Sequence, residues 1–335
     1  MPNRVTIVMY HFVRVLKNAR YPEIKGLDSA DFVEQIEYIK RHYEPITIED
    51  LIGATRSERR RLPPKAILLT FDDGYIDHFE TVFPVLEKYR IQGSFFPPAK
   101  AILEHRVLDV NKIHFVLASV QDKSLIIKSI FAEIQNNMTR YGLEGPEVYY
   151  EQLANPNRYD TADVVFIKRV LQRALPEELR GRIVDKLFAQ FVTNDEQAFA
   201  NDLYMNVEQL RHIRTSGMHI GSHGYDHYWM NTLDEDGQLR EIDRSLEFLE
   251  TLGCDLQNWA MCYPYGGYNQ SLLAILRSRK CAIGLATEVA IADLALHNVL
   301  ALPRLDTNDL PRSRSAPPND WTKQALGDRD AGSRK

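Results

Sequence analysis

Short apolar runs alternate with amphipathic stretches along most of the chain. Strand-like runs fall near 4–10, 65–71, 93–97, 217–222, 258–263, 281–286 and 299–304. Between them, patterns with helical spacing fall near 29–42, 75–90, 206–215, 234–252 and 269–280. The run from Ala66 to Phe71 is apolar on nearly every position, between Pro63-Pro64 and Gly74, as expected of a fully buried parallel strand. Thr47 followed by Asp50 predicts a capped helix start. Strands alternating with helices imply parallel pairing and an α/β fold, here a distorted TIM-like (β/α)7–8 barrel. Residues 101–205 break the alternation with mostly helical patterns, so the expected organisation is a barrel over 1–310 with a large helical insertion. The insertion is open to three readings: a lid, a subunit contact in a homo-oligomer, or an embellishment packed on the side. From Pro311 to 335 the chain is rich in Pro, Ser, Asp and Arg and is expected to be a disordered tail.

Composition narrows the function classes. The chain has 335 residues, 44% hydrophobic and 26% charged, enough for a full core. A net charge of −5 gives no nucleic-acid footprint. Cys254, Cys262 and Cys281 form no paired framework, which suits a reducing compartment. The N-terminus carries no signal-peptide pattern and no window is long and apolar enough for a transmembrane helix. The expectation is therefore a cytoplasmic protein acting on an intracellular precursor.

Candidate chemistry sits at strand ends. Asp72 and Asp73 close one buried run, and His223 and His227 follow another. One carboxylate, a second beside it and two imidazoles suit a catalytic metal site with three protein ligands, an open position and a nearby base. On a helical turn the i, i+4 histidines would share a face. Asp-Asp-Gly alone is also ordinary turn chemistry, and ten histidines make one such pair by chance unremarkable. What favours a site is position: His11, Asp72, Asp73, His223, Tyr265 and Arg304 all lie at or just after strand C-terminal ends, the rim where (β/α) barrels build active sites.

Thr70-Phe71-Asp72-Asp73-Gly74, the His223/His227 pair and Tyr263-Pro264-Tyr265-Gly266 resemble, in order, three motifs of the polysaccharide deacetylases, the NodB-homology carbohydrate esterases. Val8-Met9-Tyr10-His11 is similar to the opening strand of their surface-glycan and exopolysaccharide subgroup. The resemblance implies metal-dependent N-deacetylation of an acetamido sugar or glycan intermediate. It makes Asp72 the catalytic base, and Asp73, His223 and His227 ligands of a divalent metal, Zn2+ foremost. It makes the backbone N–H of Tyr265 the oxyanion donor. The chain departs from the family pattern in three places. Gly224 stands where Ser or Thr is common, and Cys262 where many members have an Arg that orients the base. The late histidine motif that carries the general acid has no clear counterpart, His297 being the nearest histidine. Arg304 and His11 are further candidates at the same mouth. The alternatives are a related C–N hydrolase, such as a deformylase or ring-opening amidase, and a catalytically decayed glycan-binding barrel.

Overall fold

In the computed structural model the described residues are 3–17, 19–57, 61–157 and 160–326. The chain is α/β and divides into two compact units. The first comprises residues 1–15, 26–104 and 201–335, the second 16–25 and 105–200.

The first unit is organised around the strand Ala66–Asp72, buried at every position. It pairs in parallel with Arg4–Tyr10 on one side and Gly93–Phe96 on the other, and Gly93–Phe96 pairs in parallel with His219–Ile220. The registers place Tyr10 beside Phe71, Asp72 beside Phe96 and Phe95 beside Ile220. Parallel strands in this register end together, so the residues that follow (His11, Asp73 and the segment from Gly221) emerge on one rim. Ala260–Cys262 and Ile283–Leu285 form a second parallel pair. Isolated parallel bridges join Ser222 to Met261 and Leu285 to Leu302, and Leu305–Asp306 pairs in parallel with the first strand. The last strand thus begins just after Arg304, not before it as the 299–304 reading expected.

Inward side chains of these strands make one apolar cluster that includes Val5, Ile7, Leu68, Ala260, Cys262, Ile283, Leu285 and Leu302. Helices form where the amphipathic pattern predicted: Ser29–His42, Val207–Thr215, Glu235–Thr251 and Gln270–Ser278. The helix Ile48–Arg56 starts on the expected Thr47/Asp50 capping box. Among the described residues no helix is long and apolar enough to cross a membrane.

The second unit is helical, with Asp109–Ser119, Lys123–Tyr141, Ala162–Arg169 and Glu177–Phe191 packed through residues such as Ile113, Ile130, Phe166, Ile167 and Leu187. The sequence placed the insertion at 101–205. The compact unit is narrower, 105–200, and takes in 16–25 as well.

The tail departs from its expected disorder. Asp320–Leu326 is a helix, and the buried Thr322 hydroxyl lies 2.8 Å from that of Tyr38 and accepts a 3.0 Å hydrogen bond from that of Tyr43. Composition describes the polar residues of this segment. It does not reveal two core tyrosines whose hydroxyls need a partner. Residues 327–335 of the expected tail lie outside the described residues.

Candidate active site

Asp72 and Asp73 leave their strand in different directions and meet different partners. Asp72 is still extended, the last residue of its ladder. Asp73 turns at once, with φ 71°, and Gly74 follows at φ 68°. A Cβ on Gly74 would come within 2.7 Å of Pro97, so this tight exit needs glycine.

Arg304 holds Asp72. Its Nη1 donates to Asp72 Oδ1 at 3.0 Å and its Nη2 to Oδ2 at 2.8 Å, a bidentate fork. The guanidinium is fixed in turn by Nε donating to the carbonyl of Ala286 (2.9 Å) and Nη1 to the Thr70 hydroxyl (3.1 Å). Burial alone would raise the Asp72 carboxyl; the charge and hydrogen bonds of Arg304, together with the nearby His223, outweigh it and hold the pKa down at about 2. The Cys262 thiol sits 3.3 Å from Oδ2. The cation missing at position 262 is thus supplied by Arg304, from after Leu302.

Asp73 has no such cation. Its Oδ2 accepts from the Tyr75 hydroxyl at 2.5 Å, which fixes the carboxylate's rotation. Its Oδ1 is buried and lacks a hydrogen-bond partner. Two imidazole nitrogens face it, His223 Nε2 at 3.4 Å and His227 Nε2 at 3.3 Å. His223 Nδ1 lies 2.7 Å from the carbonyl of Cys262. Donating there fixes the tautomer and turns the lone pair of Nε2 toward Asp73. Burial would raise the Asp73 carboxyl; where the two rings carry protons on Nε2, their hydrogen bonds and charge hold it well below the usual range, and with neutral rings a cation would take that part.

This donor set fits a divalent cation. Nitrogen and oxygen ligands about 2.0–2.1 Å from a tetrahedral zinc stand about 3.4 Å apart. The imidazole-to-carboxylate spacings are 3.3 and 3.4 Å. An orphaned, buried carboxylate oxygen beside two imidazole lone pairs has its needs met by a cation at the centre of the three.

The histidines converge by a route the sequence did not predict. Residues 223–227 form a loop, not a helical turn. Gly224 has φ 73° and His227 φ 60°, and these left-handed residues fold the loop back so that both rings face Asp73. Tyr265 is left-handed as well, at φ 56°. Its ring lies edge-on to His227, centroids 4.8 Å apart, and stacks on Trp229 at 4.6 Å. Bulky residues at positive φ are rare, and strain of this kind gathers at functional sites.

Of the remaining candidates, His11 joins the site and His297 does not. His11 follows the first strand on the same rim and lies close enough to act electrostatically on both Asp72 and Asp73. His297 Nδ1 accepts the backbone N–H of Asp293 (2.9 Å), and Asp293 pairs with Arg4 at the opposite end of the first strand. Seven residues along a strand place it roughly 20 Å from the rim. It is a loop histidine, held there because its ring satisfies a turn. Sequence reasoning missed Tyr75, the Cys262 carbonyl and Glu241. Glu241 Oε2 accepts the backbone N–H groups of Tyr225 and Asp226, both at 2.9 Å. Tyr75 and Cys262 lay beside motifs, but nothing in the sequence marked the Cys262 carbonyl; Glu241 acts from a distant helix on backbone N–H groups.

Comparison with known proteins identifies a family. Residues 59–141 and 187–282 match the family described as polysaccharide deacetylase. A Bacillus subtilis protein, YxkH, described as a polysaccharide deacetylase, is 26% identical over 102 residues, 30% of this chain and 34% of that protein. The poly-β-1,6-N-acetyl-D-glucosamine N-deacetylase of Escherichia coli is 38% identical over 65 residues, 19% of this chain and 10% of that one. The aligned stretches thus span about a third and a tenth of these relatives. Among solved structures, the Streptococcus pyogenes deacetylase PplD, in complex with acetate, superposes with a TM-score of 0.56 at 18% identity, covering 94% of this chain and 96% of that chain.

Proposed function

The chain belongs to the polysaccharide deacetylase family, and on that premise we propose that it is a metal-dependent hydrolase that removes the acetyl group from an acetamido sugar of a surface glycan. The observation that carries this reading is the orphaned Oδ1 of Asp73 between two imidazole nitrogens, next to a second carboxylate held by a guanidinium. Asp73, His223 and His227 would hold the cation, and zinc suits the two nitrogens and one oxygen. Bound there, it would supply Lewis-acid polarisation of an amide carbonyl and lower the pKa of water to about 7.

The protein's own groups do the rest. The Arg304 fork engages one lone pair on each Asp72 oxygen and leaves Oδ1 able to accept a water proton. Asp72 is the base, and its orientation is set before substrate arrives. The position of Tyr265 against His227 supports its backbone N–H as the donor to the developing oxyanion. The bridges Ser222–Met261 and Leu285–Leu302 support a distorted (β/α) barrel as the frame of the site. Acetate release from N-acetylhexosamine oligosaccharides tests the proposal. Formate or ureide products from other amides, with no acetate, would assign the site to a different C–N hydrolase.

A further inference from the structure

The loop between the two histidines is held by groups that take no part in the proposed chemistry. Its carbonyls at Gly224 and Tyr225 accept from the backbone N–H groups of Ala99 (3.3 Å) and Lys100 (2.9 Å). Its two consecutive N–H groups, at Tyr225 and Asp226, converge on one oxygen of Glu241. Consecutive N–H groups pointing at one anion form a nest. Glu241 reaches it from the helix Glu235–Thr251 and is only 7% exposed. The same helix grips the loop again, with the Arg244 guanidinium 3.4 Å from the centre of the Tyr225 ring. Lys100 also pairs with Asp226 at 2.5 Å.

We propose that Glu241 is a positioning residue for the cation site: by holding the 224–226 backbone it sets the separation and aim of the His223 and His227 rings. The inference rests on the metal-dependent reading above. His227 sits at φ 60°, a strained conformation that persists only where the surroundings over-determine it. Of the groups holding the loop, Glu241 is the one that satisfies both N–H groups. It also accounts for glycine at position 224. A Cβ there would come 3.3 Å from Glu241 Oε2 at φ 73°, so a side chain would crowd the carboxylate.

Zinc affinity of metal-stripped protein, measured by competition with a chromophoric chelator, tests the inference without any turnover. Glu241→Met keeps the length of the side chain and removes the acceptor; it should weaken zinc binding about 10–100-fold, the usual effect of losing an outer partner of a metal ligand. Glu241→Gln still offers an oxygen to both N–H groups and should stay within about threefold of the parent. The absorption spectrum of bound cobalt(II) should change in Glu241→Met and not in Glu241→Gln, since it reports ligand geometry, which a loss of stability alone leaves unmoved. A folded Glu241→Met that binds zinc as the parent does would overturn the inference. Should Glu241→Met not fold, amide exchange of the parent decides: Tyr225 and Asp226 should be protected before zinc is added, and protection that appears only with zinc would overturn it. If the parent, like Asp73→Ala, binds no zinc, the cation reading itself falls, and this inference with it.

Discussion

In the helical unit the Lys112 ammonium is almost completely buried, and it meets the carboxylates of Asp185 and Glu196, the latter at 2.9 Å. Asp160 in the same unit lies between Lys25 (2.6 Å) and Lys168 (2.8 Å). On the strand rim of the other unit, Asp72 follows that rule with Arg304, and one residue later Asp73 breaks it. Its neighbours are two imidazoles, which balance its charge only when they carry protons. A buried carboxylate costs several kcal/mol unless a positive charge, proton-borne or metallic, faces it. The contrast separates charges matched by a fixed cation from one matched only by titratable rings.

Four predictions press on that contrast. The largest effect is expected where no fixed cation matches the charge. Asp73→Ala, His223→Ala and His227→Ala should each drop bound zinc from about one per chain to a small fraction, by elemental analysis, with the fold retained. Full occupancy in all three would remove the distinction. Next, Asp72→Asn should keep zinc while kcat for acetate release falls by about 10²–10⁴. A variant that lost zinc and regained full activity on reconstitution would exchange the roles of the two carboxylates.

In the helical unit the outcome should invert. Lys112→Met should leave zinc affinity unchanged and lower the unfolding free energy by about 2–3 kcal/mol in urea titrations, below the usual cost of a broken buried pair because Asp185 is half exposed. A change in zinc affinity would show that the two kinds of buried charge are not separable. The smallest effect concerns pH. Burial opposes the Asp72 charge, and Arg304 together with His223 more than offsets it, giving about 2 in the folded protein against about 4 in an unfolded chain. A carboxyl depressed by folding stabilises above the unfolded value, and that stability is lost as pH falls through the folded one. Parent protein should therefore lose roughly 2 kcal/mol between pH 4 and pH 2 that Asp72→Asn does not lose. Parallel curves for the two proteins would contradict the pairing.

The sequence carried the rim because buried parallel strands are written as apolar runs, and Asp72, Asp73 and His223 stand where those runs stop. Helices with a clear apolar stripe and local caps, such as Thr47 with Asp50, were equally plain. Other features depended on partners far along the chain. Arg304 reaches Asp72 across 232 residues, and His223 finds the Cys262 carbonyl across 39. The left-handed turns at Asp73, His227 and Tyr265 left no trace, because none is a glycine. His297 looked eligible by position alone; register put it at the wrong end of the strand. The helix Asp320–Leu326 hid behind a polar composition because its anchor is one hydroxyl, that of Thr322.

The proposed role of Asp73 requires that the site work only when a divalent cation completes it. Acetate release from N-acetylglucosamine oligosaccharides should be followed as zinc is returned to chelator-treated protein. Release should be absent at the start, rise until it saturates at one zinc per chain, and stay absent at any zinc concentration for Asp73→Ala. Undiminished acetate release from fully metal-stripped protein would contradict it.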